Sequence, residues 1–196
     1  GYAVLQPNFR GSTGYGKAFL DKGTQQWGGI MQDDVSDGTQ WLIDQGIADP
    51  KRICIAGASY GGYAAAMGLI KTPDLFKCGI SINAVLNMPG LIAGDKRYIG
   101  GKLWTETMGL EGADPETVSP YHQADKIKGP ILIIHAKDDH RIDYDQAKDM
   151  HKKLKKLKKD VTLVTLEDGD HNLDTETART GELTAMEKFL KKHIGQ

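Results

Sequence analysis

The stretch with the clearest chemical potential lies at residues 57–61, which read Gly-Ala-Ser-Tyr-Gly. A short apolar run at residues 53–56 precedes it, and a helix-like run at residues 63–70 follows it. A serine between a strand and a helix in a G-x-S-x-G pattern is typical of a nucleophile elbow, a turn sharp enough to hold the hydroxyl out from the sheet. We therefore predict that Ser59 is a nucleophile, and that the two flanking glycines avoid clashes that a Cβ would cause.

The same turn could also stabilise negative charge. In an elbow the backbone amide of Tyr60 points at the reacting carbonyl, and the start of the next helix adds a partial positive charge there. We predict that this amide is one donor of an oxyanion hole. The alternative at this point is a glycine-rich turn that binds phosphate at a helix N-terminus.

An acid and a base are expected after later strands, because functional groups gather at the carboxyl ends of parallel strands. The apolar run at residues 130–136, typical of a strand buried on both faces, leads to Asp138 and Asp139. The strand-like run at residues 161–166 leads to His171. Serine, acid, histidine is the chain order of an α/β-hydrolase triad. On position alone, either aspartate could be the acid.

In such a triad His171 would take the proton of the serine hydroxyl and return it to the leaving group. The aspartate would fix the imidazole tautomer and stabilise the imidazolium. The remaining histidines lie within predicted helices, precede the acidic loop or neighbour the acid itself. We predict that they are surface or packing residues: His122, His135, His140, His151 and His193.

Strands alternate with helices along the chain, which predicts an α/β fold with a mainly parallel sheet and helices on both faces. The predicted strands span residues 1–7, 52–56, 77–84, 130–136 and 161–166. The predicted helices span residues 30–45, 63–70, 118–127, 144–158 and 175–194. Residues 86–112, which include Trp104, lack a clean period and are expected to form an irregular excursion that borders a site.

Composition excludes several classes of function. The chain has 196 residues, about one domain, and its net charge of −1 implies no polyanion partner. No apolar run approaches the ~20 residues that a membrane span needs. The six lysines at residues 152–159 are interpreted as the solvated face of a helix, not as a nucleic-acid patch. Cys54 and Cys78 lie in apolar runs and are predicted to be free buried thiols.

Several stretches together resemble the catalytic domain of the prolyl oligopeptidase family of serine peptidases, most of all its acylaminoacyl-peptidase and dipeptidyl-peptidase-like branch. The likeness runs over nearly the whole chain. It rests on Arg-Gly-Ser-Thr-Gly-Tyr-Gly at residues 10–16, Asp-Asp-Val-Ser-Asp-Gly at 33–38, Gly-Ala-Ser-Tyr-Gly-Gly-Tyr at 57–63, His-Ala-Lys-Asp-Asp-His-Arg-Ile at 135–142 and Gly-Asp-His at 169–171.

The resemblance implies roles for individual residues. It places the acid on Asp139, which stands two residues before Arg141. Arg141 would hold a backbone carbonyl of the bound peptide, while Ile142 and Tyr63 would border the pocket for the residue before the cut bond. The hydroxyl of Tyr15 would complete the oxyanion hole.

The resemblance further implies a peptidase that cleaves oligopeptides through an acyl-enzyme, with no metal or organic cofactor and with neither nucleic acid nor membrane as a partner. Two alternatives stay open: a carboxylesterase or lipase, which shares the triad, and a non-catalytic binding module of α/β-hydrolase type. The family's catalytic domain normally starts with further strands and carries a β-propeller on its N-terminal side. We therefore expect a single α/β-hydrolase catalytic domain without its first strands, belonging to a longer polypeptide, with a homo-oligomer as an additional partner.

Overall fold

Four parallel strands form the sheet at the centre of the described residues, which in this computed structural model are 1–95, 101, 105 and 114–195. The strands are β1 (Cys54–Ala58), β2 (Cys78–Ile82), β3 (Ile131–Ala136) and β4 (Val161–Leu166). Their order in space is their order in the chain, β1-β2-β3-β4. The four strands predicted within residues 52–166 are therefore confirmed.

Helices cover both faces of this sheet. The α-helices of the described residues are α1 (Lys17–Asp21), α2 (Ile30–Asp44), α3 (Tyr60–Lys71), α4 (Met88–Asp95), α5 (Asp145–Lys156) and α6 (Glu176–Ile194), and α3, α5 and α6 pack directly on the strands. Side chains alternate along a strand, so Ile131 and Ile133 of β3 pack with α3 and α5, while Leu132 and Ile134 pack in a second cluster with α6. The two central strands, β2 and β3, are therefore buried on both faces.

Two predicted elements were wrong. Residues 1–7 do not form a strand and are mostly exposed, because no strand of the described chain lies beside them to share a hydrogen-bond ladder. Residues 118–127 form parts of two short 3₁₀ helices, Pro115–Val118 and Ala124–Lys126, instead of one α-helix. Pro120 stands between them, and a proline removes a backbone donor and clashes with the preceding turn.

The prediction of free thiols was also wrong, since a disulfide joins Cys54 and Cys78. The two residues are direct partners in the parallel register of β1 and β2, and their Cα atoms lie 4.7 Å apart. Strand register, which a separation of 24 residues along the chain does not reveal, brings the two sulfur atoms together.

Two other expectations concern the surface and the middle of the chain. Along α5, Ala147, Met150 and Leu154 are buried, and most of the neighbouring lysines are exposed, as expected for a solvated helix face. Trp104 lies outside the described residues, and α4 begins the stretch that was expected to be irregular. Within the described ranges, no helix is both long enough and apolar enough to cross a membrane.

Candidate active site

Ser59 stands at the turn between β1 and α3, in a conformation that residues other than glycine rarely adopt, with φ 55° and ψ −117°. Two backbone hydrogen bonds hold it there. Its N–H donates to the carbonyl of Ile82 at the end of β2 (2.9 Å), and its own carbonyl accepts from the N–H of Tyr63 (3.1 Å). The strained serine is thus fixed both to the neighbouring strand and to the helix that follows.

The glycines around Ser59 have different steric roles. A Cβ on Gly57 would lie 2.4 Å from the carbonyl carbon of Gly61, so a glycine is required at that position. A Cβ on Gly61 would meet nothing within 4 Å, whereas one on Gly62 would lie 2.6 Å from the Cβ of Ala84. The expectation of a clash is therefore right for Gly57 and wrong for Gly61, and the second sterically required glycine is Gly62.

The structure brings Ser59, His171 and Asp139 into one chain of hydrogen bonds. Nε2 of His171 lies 3.1 Å from Oγ of Ser59, and Nδ1 lies 2.8 Å from Oδ2 of Asp139. The three residues follow β1, β4 and β3, so the loops at one edge of the sheet bring them together. Asp138 is exposed, and the acid that reaches the histidine is Asp139.

The carboxylate of Asp139 is fully buried, while the side chain of His171 is 22% exposed. The second carboxylate oxygen of Asp139, Oδ1, accepts from the backbone N–H groups of Arg141 (2.9 Å) and Ile142 (2.8 Å). A buried carboxylate is costly unless hydrogen bonds replace its water, and these two donors supply that replacement. They also fix which oxygen faces the histidine.

His135 lies behind Asp139 and is fully buried. Its Nε2 lies 2.9 Å from the carbonyl of Ile142 and 3.5 Å from Oδ2 of Asp139. Burial lowers the pKa of His135, an effect larger than the opposing contributions of the Ile142 carbonyl and the Asp139 charge. The ring is therefore neutral near pH 7, and its Nε2–H donates to the Ile142 carbonyl.

A pocket of about 160 Å³ opens beside the serine. Its wall is mainly apolar and aromatic, with one carboxylate and one guanidinium; the lining residues are Trp27, Ser59, Tyr60, Val85, Leu91, Asp95, Arg141 and Ile142. Arg141 and Ile142, both predicted to contact substrate, thus lie on this pocket. Ligand sites are typically concave and mostly apolar with a few polar anchors, and the lining of this pocket has that character.

Tyr60 and Tyr63 occupy different depths of this wall. Tyr60 lines the pocket, and its ring packs edge-on against Trp27 at 4.6 Å. Burial raises the pKa of Tyr60 well above its ordinary value, so its hydroxyl stays neutral. Tyr63 is fully buried behind Trp27, with ring centroids 4.7 Å apart, and its hydroxyl donates to the carbonyl of Val118 (2.8 Å).

Tyr15, the predicted second oxyanion donor, lies between Gly14 and Gly16, both with positive φ. It is 58% exposed, and its ring packs against Phe19 with centroids 5.2 Å apart. In the part of the chain that the structure describes, its hydroxyl makes no hydrogen bond to the elbow. Its role in the oxyanion hole stays a prediction.

The sequence reasoning missed two buried amide side chains near the site. Asn83 follows β2, and its side chain contacts the loop that carries His171. Gln146, on α5, accepts from the N–H groups of Leu86 and Asn87 in the loop that enters the pocket. The sequence signal that could have indicated Asn83 is an asparagine directly after an apolar strand, because the side-chain amide of such a residue can hydrogen-bond to backbone groups.

Comparison with known proteins places this geometry in context. A model of the prolyl oligopeptidase family matches residues 1–196. Dipeptidyl aminopeptidase BIII of Pseudoxanthomonas mexicana is 34% identical over 212 residues, covering 100% of this chain and 29% of that protein. Dipeptidyl peptidase family member 6 of Caenorhabditis elegans is 32% identical over 203 residues, covering 100% and 27%.

Solved structures give the same picture. Acylaminoacyl peptidase of Pyrococcus horikoshii superposes with a TM-score of 0.86 at 27% identity, over 96% of this chain and 32% of that one. The prediction of an α/β-hydrolase fold, with a parallel sheet and helices on both faces, is confirmed. The chain spans less than a third of the length of each of these three proteins.

Proposed function

Because the chain belongs to the prolyl oligopeptidase family of serine peptidases, we propose that it carries the catalytic residues of a peptidase that hydrolyses oligopeptides through Ser59, His171 and Asp139. The observation that carries this proposal is the unbroken path of hydrogen bonds from Ser59 Oγ through the imidazole to the buried carboxylate of Asp139. Since the matched relatives are much longer, we propose the activity for the full polypeptide that contains these residues.

The proposed reaction begins when Oγ of Ser59 attacks the carbonyl carbon of the scissile peptide bond while Nε2 of His171 takes the hydroxyl proton. The backbone N–H of Tyr60, at the start of α3, donates to the resulting oxyanion. The tetrahedral intermediate collapses as the imidazolium returns its proton to the departing amine, leaving an acyl-enzyme. A water molecule, with His171 as its base, then attacks the acyl-enzyme in the same way. This step releases the carboxylic-acid product and restores the free hydroxyl of Ser59.

Asp139 is proposed to orient the imidazole without accepting a proton itself. Its Oδ2 accepts from Nδ1–H, which leaves the lone pair of Nε2 directed at the serine. Because Oδ1 already accepts two backbone N–H groups, the carboxylate cannot rotate without breaking three hydrogen bonds. The turn at residues 139–142 is therefore the fixed reference for the histidine.

The substrate class follows from the pocket and the relatives. The names of the relatives describe removal of dipeptides or cleavage of acylated amino acids, and we propose short peptides as substrates here. The apolar wall of Tyr60, Val85, Leu91 and Ile142 would take the side chain before the cut bond. The guanidinium of Arg141, at the rim, would hold a peptide carbonyl.

The test uses the full polypeptide and compares Asp139→Asn with a matched control one residue away, Asp138→Asn. The first change removes the acceptor for Nδ1–H and should lower kcat about 10⁴-fold, whereas the second alters an exposed side chain and should have little effect. Ser59→Ala should abolish turnover of an aminoacyl anilide and covalent labelling by a fluorophosphonate. Loss of activity in Asp138→Asn alone would overturn the assignment of the acid.

A companion measurement separates the peptidase from an esterase, which would use the same triad. Turnover of aminoacyl anilides is compared with turnover of short-chain nitrophenyl esters, in both wild type and Ser59→Ala. A kcat/KM that is measurable for the ester only would contradict the peptidase proposal. A wild-type protein that fails to take the fluorophosphonate would instead indicate a binding module.

A further inference from the structure

We propose that Asn83 is a positioning residue that keeps His171 within reach of both Ser59 and Asp139, an inference that rests on the proposed function. Nδ2 of Asn83 donates to the carbonyls of Asp170 (3.2 Å) and His171 (3.1 Å). Oδ1 accepts from the N–H of Ala136 (2.9 Å). One buried amide thus connects the loop that carries the histidine to the strand that leads into the acid turn.

The backbone of Asn83 is held as firmly as its side chain. Its N–H donates to the carbonyl of Ile134 on β3 (2.9 Å), and its φ of 42° lies in the left-handed region. Asparagine tolerates this region better than most residues. With only 1% of the residue exposed, the amide cannot exchange its three partners for water, so its orientation is fixed.

The contacts of Asn83 are placed where they control the geometry of the triad. Ala136 is the last residue of β3, and its carbonyl accepts from the N–H of Asp139 (3.4 Å). The residue before Asn83 is Ile82, whose carbonyl accepts from the N–H of Ser59. Asn83 therefore lies beside the backbone that positions the nucleophile, contacts the strand end that positions the acid, and holds the base directly.

Other hydrogen bonds of the histidine loop are mainly local. The N–H of Asn172 donates to Oδ1 of Asp170, the N–H of Leu173 donates to the Asp170 carbonyl, and Arg179 donates to the Leu173 carbonyl. Among the described donors, Asn83 is the one that holds the backbone of residues 170–171 to the sheet. Without it, the His171 ring would depend on its own two side-chain bonds to stay in place.

The consequence for the reaction is a loss of alignment, not a loss of substrate affinity. The pocket is lined by other residues, so substrate should bind normally while the imidazole spends less time within 3.1 Å of Ser59. A misplacement of about 1 Å can cost about 100-fold in rate. We expect kcat to fall by about 10- to 100-fold and KM to change by less than about threefold.

The decisive variant is Asn83→Asp in the full polypeptide, which keeps the shape and the acceptor for Ala136 but replaces the donor of the two loop carbonyls with an oxygen. Asn83→Ala serves as the second variant. The measurements are kcat and KM for an aminoacyl anilide and the rate of labelling by a small fluorophosphonate. The labelling rate reports activation of Ser59 without filling the pocket, and it should fall by the same factor as kcat.

The matched control is Gln146→Glu, since Gln146 is also a buried amide with three hydrogen bonds to loop backbone. Its partners belong to the loop at Leu86 and Asn87, near the pocket and away from His171. The change should raise KM and leave the labelling rate within about twofold of wild type. The two variants should therefore separate by which kinetic constant they alter.

Each outcome decides the inference. A kcat within threefold of wild type in both Asn83 variants would overturn it. Equal losses of labelling in Asn83→Asp and Gln146→Glu would also overturn it, because they would indicate general destabilisation. The proposed function is tested separately: if Ser59→Ala keeps its activity, the triad is wrong, whereas an inactive Ser59→Ala with a fully active Asn83→Asp contradicts only the positioning role.

Discussion

Alanine substitutions at the two glycines of the G-x-S-x-G pattern should have opposite effects. The pattern treats Gly57 and Gly61 as equivalent, but the geometry does not. At Gly57 a Cβ would lie 2.4, 2.5 and 2.7 Å from three backbone atoms of Gly61. At Gly61 it would lie in open space, and φ there is outside the left-handed region.

The magnitudes follow from these distances. Ordinary carbon contacts begin near ~3.5 Å, so Gly57→Ala must separate the strand end from the start of α3 by about 1 Å. Overpacking that moves backbone costs about 3 kcal/mol, which corresponds to a fall in Tm of roughly 6–12 °C for a domain of this size. Gly61→Ala meets no such clash, and because alanine is the better helix former it should gain at most about 0.5–1 kcal/mol, the difference found in the middle of a helix.

The assay is scanning calorimetry of the full polypeptide, together with the rate of fluorophosphonate labelling at 25 °C. Gly57→Ala should lower the Tm of the catalytic domain and abolish labelling, since moving Gly61 also moves the Tyr60 amide. Gly61→Ala should keep or raise the Tm. Equal losses of stability in the two variants would refute the steric reasoning.

Three further predictions concern residues around the pocket and the acid. His135→Gln removes a buried group that resists protonation. Below pH ~6.5, the ordinary histidine pKa, the unfolded chain protonates His135, while the lowered pKa keeps the ring neutral in the folded protein. The free energy of unfolding of wild type should therefore fall by up to ~1.4 kcal/mol for each pH unit in that range, and that of the variant should fall less. Urea unfolding at pH 5 and pH 7 measures both. Tyr15→Phe should lower kcat by about 10²–10³ if its hydroxyl is the second oxyanion donor; a loss below about threefold in steady-state assays would mean that Tyr15 only packs against Phe19. Tyr63→Phe removes the hydrogen bond to the carbonyl of the partly buried Val118 and should cost about 0.5–1.5 kcal/mol in the same urea experiment, while KM stays within about threefold because Tyr63 lies behind the lining residues.

Local patterns predicted the elements whose physical cause is local. The strand and helix on either side of Ser59 follow from a short apolar run and a helix-forming run. Ser59, Asp139 and His171 could be expected to meet because the carboxyl ends of parallel strands lie at the same edge of the sheet. Asp139 was preferred to Asp138 through a family resemblance, and the hydrogen bond to His171 gives the physical reason.

Features that depend on residues far apart along the chain could not be predicted from local sequence patterns. Residues 1–7 have the composition of a strand but no neighbour to pair with in the described chain. The register that pairs Cys54 with Cys78 is a property of two strands together, not of either segment. The three side-chain hydrogen bonds of Asn83 reach residues 53 to 88 positions away, and an asparagine after an apolar strand does not by itself indicate these partners.

The strand order also has a consequence for biosynthesis. Because β1, β2, β3 and β4 lie in the sheet in the order in which they are made, Ser59 and its hydrogen-bond partner Ile82 are synthesised before β3 and β4. His171 follows 112 residues later, and at about 5–20 residues per second a ribosome needs roughly 6–22 s to reach it. Throughout that interval the nascent chain would hold Ser59 without the histidine proposed as its base, so the proposed triad could not assemble before β4 and the loop that follows it have been made.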